Sequence, residues 1–114
     1  MPENRKKLIS LLIGHISIAV IHEILIGSTE NKEIADHYKK EMENAINLSK
    51  KYRVKTNPKN SSFRNKDSKY IKSQIINKVK LELTKRTLKE YKNINLSLML
   101  PITEKHLKKL KVTD

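Results

Sequence analysis

From Leu8 to Ile26 the chain reads LISLLIGHISIAVIHEILI. Wound at about 100° per residue, its apolar positions run all the way round a helix. A helix that is apolar on every face is buried in a bundle, in an oligomer interface or in a membrane. Pro2 and Glu3 mark its start, because proline in a first turn gives up an N–H that would be unpaired anyway, and the predicted helix spans 3–26. One narrow stripe, Ser10, Gly14 and Ser17, is small or polar. Ser10 and Gly14 have the i,i+4 spacing that lets a second helix approach closely.

Gly27 reads as a C-cap, and Ser28 or Thr29 as the next N-cap. A second helix over 29–53 follows, with the stripe Ile34, Ala35, Tyr38, Met42, Ala45, Ile46, Ser49 and Tyr52. Its other face is charged and reads as an ordinary solvated surface. Residues 54–67, VKTNPKNSSFRNKD, have loop composition. Asp67 or Ser68 then caps a third helix over 68–93, whose inner stripe is Ile75, Ile76, Val79 and Leu83. The tail is mixed. Ile94 to Leu100 begins with the alternation of a strand and then loses it. Pro101 stops it, and Thr103 caps a short helix, 104–111, with Leu107 and Leu110 turned inward.

The pattern predicts one all-α domain over 1–114: a small bundle of three long helices plus a short C-terminal one, built round a central apolar first helix. The tail, 94–114, is the least regular part. Helices two and three each offer one apolar stripe, too little to cover a helix that is apolar all round. The remainder is expected to meet a second copy of the chain, with Ser10, Gly14, Ser17, Ile18 and Ile21 at the contact.

Charge adds what the pattern lacks. Residues 1–53 carry nine Lys/Arg and seven Asp/Glu, for a net +2, whereas residues 54–114 carry sixteen and five, for +11. A high lysine and asparagine content follows from an AT-rich genome, but that bias acts on both halves alike and does not explain where acids are missing. Such a field is relieved by an anionic partner. On the third helix Lys78, Lys85, Lys89 and Lys92 fall within about 60° of one another, a rail suited to a phosphate backbone. Lys69, Lys72, Arg64 and Arg86 widen the positive zone. With 21 lysines against four arginines, contacts to phosphate should outweigh base reading, so binding is expected to be non-specific, to DNA or RNA. Phe63, Tyr70 and Tyr91 are aromatic groups that either stack on bases or border the core. The alternative is a homo-oligomeric helical interaction or structural subunit with an acidic protein partner.

Other chemistries are weaker. The absence of cysteine excludes disulfides, cysteine-based zinc sites, iron–sulfur ligation and thiol nucleophiles, and fits a reducing, cytoplasmic setting. Two glycines are too few for a nucleotide-binding fingerprint. His15, His22 and Glu23 share the first helix, but the seven-residue spacing of the histidines suits hydrogen bonds across a helix interface better than a metal. His37 and His106 read as surface histidines. No catalytic spacing stands out, so no cofactor, metal or catalytic residue is assigned. The 19-residue apolar run has the length of a membrane span, with Arg5, Lys6 and Lys7 as a positive flank. His15, His22 and Glu23 inside the run argue against a span. The stretch LSLMLPITEKHLKKL resembles, over fifteen residues, the strand-plus-helix opening of ribbon–helix–helix DNA-binding proteins. It contains no specific motif and adds nothing to the fold reading.

Overall fold

The computed structural model describes residues 4–57, 63–89 and 94–113. They form α1 (Arg5–Ile26), α2 (Lys32–Thr56), α3 (Asn65–Lys89), a 3-10 turn (Leu96–Leu98) and α4 (Met99–Lys109). No strand occurs among the described residues. Pro2, Glu3 and residues 90–93, where the start of helix one and the end of helix three were expected, lie outside them.

The helix ends follow local hydrogen bonding more closely than composition. Asn4 caps α1, its side chain accepting from the Lys6 N–H. Gly27 ends α1 as expected, but in right-handed backbone (φ −73°), so the freedom of glycine is not used. The expected caps of α2 are displaced. Ser28 donates its hydroxyl to the Ile24 carbonyl, Thr29 Oγ1 accepts from the Asn31 N–H, and Asn31 caps the helix through the Ile34 N–H. α2 runs three residues past Arg53, because Thr56 faces the core and its hydroxyl donates to the Tyr52 carbonyl. α3 likewise starts before its expected caps: the Ser68 N–H already bonds the Arg64 carbonyl, and Ser68 donates its hydroxyl to the Val112 carbonyl. The expected loop 54–67 therefore contributes residues to both flanking helices.

The tail is helical where a strand was one expectation. Pro101 does not stop it. Proline lies in the first turn of α4, where no helical partner waits for its N–H. Thr103 is not a cap either. It is fully buried inside α4, and its Oγ1 is the buried side-chain oxygen without a partner among the described residues.

α1 is the axis of the bundle. Leu12, Ile16, Val20, Ile24 and Leu25 are almost inaccessible, and Ile71, Ile75, Val79 and Leu83 of α3 and Leu107 of α4 close on them. Ile71 extends the expected α3 stripe by one turn towards the N-terminus. α2 runs back along α1: His15 stacks on Tyr52 (5.2 Å between centroids), and His22 meets Tyr38 edge-on at 5.5 Å. The start of α1 ties to the end of α2 and the start of α3 through Arg5, which donates to the Thr56 carbonyl (2.9 Å), Asn57 Oδ1 (2.6 Å) and Asp67 (2.8 Å). α1 is also long and apolar enough to cross a membrane; half of that stretch is buried by its own bundle.

Candidate functional site

Two places gather chemistry: the outward face of α3 and the seam where α4 crosses α1.

On α3, Lys69, Lys78, Lys80 and Lys85 are exposed, as is Arg64 just before the helix. No carboxylate pairs with any of the five among the described residues. The other two expected cations are already engaged. Lys72 donates to Glu104 of α4 at 3.0 Å, and Arg86 donates to Glu82, one turn away, at 3.1 Å. Lys89 lies in the last turn of α3, its side chain outside the described set, and Lys92 and Tyr91 lie outside the described residues. The helical screw puts Lys69 and Lys80 on one flank of α3 and Lys78 and Lys85 on the other, about 160° apart. Between the flanks runs a ridge bearing Tyr70 and Leu81, 55% and 60% exposed. Phe63 is elsewhere. It is buried beneath the Arg53 guanidinium, 4.5 Å from the ring centre, so it has no face free for stacking.

The Lys78 flank borders an open groove between α3 and α1. Two adjoining hollows of about 470 and 420 Å³ share Lys78; the first includes Ser10, and Gly14 and Ile18 line the second. Of the expected contact residues, Ser10 and Ile18 are exposed and Gly14 half-exposed. Ser17 and Ile21 are covered by the chain itself, and the Ser17 hydroxyl donates to the Ile13 carbonyl. A methyl group added at Gly14 would meet no atom within 4 Å beyond the backbone of its own helix.

The seam is built from groups that the sequence left scattered. Glu23 of α1 accepts from Lys105 and from Nε2–H of His106, the latter at 2.8 Å. His106 is not the surface histidine expected; it is 5% exposed. Its position in α4 places it one residue before Leu107, on the same inward side, which the surrounding lysines concealed. Burial works to raise the Glu23 pKa, but hydrogen bonds and charge from Lys105 and His106 hold it below its ordinary value. Burial lowers the His106 pKa and, helped by Lys105 and Lys109, outweighs the opposing pull of Glu23. The ring is therefore neutral at pH 7. An ionised carboxylate can only accept, so the proton is assigned to Nε2, and Nδ1 keeps its lone pair.

Neither a known protein family, nor a curated protein, nor a solved structure matches this chain. Function therefore rests on these two places alone.

Arg53 is a further residue that periodicity missed. Its side chain is buried and donates to the carbonyls of Leu110 (2.8 Å), Asn57 (3.0 Å) and Lys111 (3.2 Å), pinning the C-terminal end onto α2. The spacing Ala45, Ser49, Arg53 on one inner stripe was its only signal. His15, His22 and Glu23 do not converge: each engages a different neighbour. No group of three metal-ligating side chains occurs among the described residues.

Proposed function

We propose that the protein binds the phosphate backbone of nucleic acid, without sequence preference, through the exposed cations of α3. One observation carries this reading: Arg64, Lys69, Lys78, Lys80 and Lys85 crowd one helix and its start with no carboxylate to neutralise them among the described residues. Lysines displaced from water onto phosphates release condensed counterions, which favours binding at low salt. Lysine is a point charge and reads no base edge, so all sequences should bind about equally. Tyr70, exposed between the two lysine flanks, offers a stacking surface for an unpaired base. Lys72 and Arg86 are weaker contributors, because an acid already holds each.

The test is binding to random-sequence DNA and RNA at several salt concentrations, with two double variants. Lys78→Gln with Lys85→Gln removes one flank, and Lys69→Gln with Lys80→Gln removes the other. If a flank touches duplex phosphates, its loss should flatten the slope of log K against log salt by about 1.8. No binding at low salt, or slopes unmoved by both variants, overturns the reading.

A second reading has its own observation. The stripe Ser10, Gly14 and Ile18 stays exposed or half-exposed along the helix at the centre of the bundle. It supports a homo-oligomeric subunit in which a second copy closes that side. An acidic protein partner for the basic half remains the companion proposal if nucleic acid does not bind.

A further inference from the structure

Where α4 crosses α1 and α2, the three helices enclose a cavity of about 160 Å³. An apolar hole of about 150 Å³ is large enough to take benzene. Three walls are apolar: Ile16 of α1, Ile46 of α2, and Leu110 just after α4. Ser49, also in the lining, already donates its hydroxyl to the Ala45 carbonyl at 2.8 Å. Three features make this more than a packing gap. His106 lines it, and no hydrogen bond to its Nδ1 occurs among the described residues. With Nε2 held by Glu23, Nδ1 is the ring nitrogen left to accept a hydrogen bond. Lys50 and Lys109 complete the lining, both exposed and neither paired with a carboxylate among the described residues. The cavity thus offers a ring-sized apolar space, a histidine with a spare acceptor in its wall and two cations reaching solvent.

We propose that this cavity binds a small hydroxy acid with an apolar body. The carboxylate sits between Lys50 and Lys109, the body lies against Ile16, Ile46 and Leu110, and the hydroxyl donates to Nδ1 of His106. Glu23 and Lys105 hold the other edge of the histidine and set its tautomer, so Glu23 is a positioning residue. The proposal is independent of nucleic-acid binding, because neither lysine belongs to α3.

The probes are 4-hydroxybenzoate, benzoate, which lacks the donor, and phenol, which lacks the charge. Titration of the full-length protein at pH 7.5 is followed by heteronuclear NMR of the His106 ring and by calorimetry. 4-Hydroxybenzoate should bind with movement of the His106 signals, and each of the other two should bind about tenfold more weakly, as expected for one lost polar contact. Lys50→Gln with Lys109→Gln alters only exposed positions and leaves the fold in place. It should weaken both carboxylates about tenfold and leave phenol unchanged. A His106 ring unmoved by 10 mM of every probe (about the weakest binding worth the name) overturns the proposal. So does a double lysine variant that binds 4-hydroxybenzoate as well as the parent.

Discussion

Two sides of α1 solve the same problem differently. Towards α4, the charged groups brought inward are met: Glu23 by Lys105 and His106, and Arg53 by the carbonyls of Leu110 and Lys111. Towards the α3 groove, Ser10, Gly14 and Ile18 are left to solvent. A helix that is apolar all round needs neighbours on every side. α2, α3 and α4 supply three of them. The closed side illustrates how a weakly hydrophobic tail can be fixed: α4 is short, and charge-assisted hydrogen bonds near its C-terminal end and just past it hold it on α1 and α2. On the open side the Arg5–Asp67 pair ties only the start of the two helices, which leaves the stripe beyond it available to another molecule.

The largest contrast should come from one residue type on the two sides. Ile16→Ala removes a fully buried side chain facing α4 and α2 and should cost about 3 kcal/mol. Ile18→Ala, at a position 39% exposed on the open stripe, should cost about 0.5 kcal/mol or less in the monomer. Urea denaturation of dilute protein measures both. Equal losses at the two positions would mean that the open stripe is covered in solution.

A smaller effect of opposite sign is expected at Gly14. Glycine in a helix interior is about 0.8–1 kcal/mol worse than alanine, and no atom beyond the backbone of its own helix lies within 4 Å of an added methyl group. Gly14→Ala should therefore stabilise the monomer by about 0.8 kcal/mol. If it instead destabilises, and the loss grows with protein concentration, a second copy packs against this glycine. That outcome sharpens the comparison, since the open side would then be closed by another chain.

The finest probe is the response to acid on the closed side. Both His106 and Glu23 have lower pKa values in the folded protein than their ordinary 6.5 and 4.5. The unfolded chain therefore binds more protons, and stability falls as pH falls. The histidine part begins below pH 6.5, and the carboxylate part sets in below 4.5. His106→Gln should flatten the decline in melting temperature between pH 7 and 5 and leave a loss at lower pH. A variant with the parent's profile over that upper range would show that His106 is not buried against Glu23.

Much of the helical frame is legible in the chain, because repetition carries it. The apolar run 8–26, the α2 stripe from Tyr38 to Tyr52 and the α3 stripe from Ile75 to Leu83 can each form only an amphipathic or buried helix. The caps were harder to place. Ser28, Thr29, Asn31, Asp67 and Ser68 are all competent capping residues, and only the competition among hydrogen bonds selects Asn31 and sends Ser68 to Val112. On the α3 face, the number of lysines could be read directly. Which of them remain uncompensated could not, since Glu104, which holds Lys72, lies thirty-two residues away.

Sequence alone determined the class of this protein: helices, a buried central one, no thiol chemistry, and a positive second half. Those properties depend on local periodicity and on counts, which need no knowledge of neighbours. Tertiary structure alone decided what the isolated polar residues do. Glu23 and His106 lie 83 residues apart, and Arg53 and Leu110 lie 57 apart. Within one helix they read as stray charges on an apolar face or ordinary charges on a polar one. Packing turns them into paired groups, because a buried charge is stable only where another segment supplies its partner.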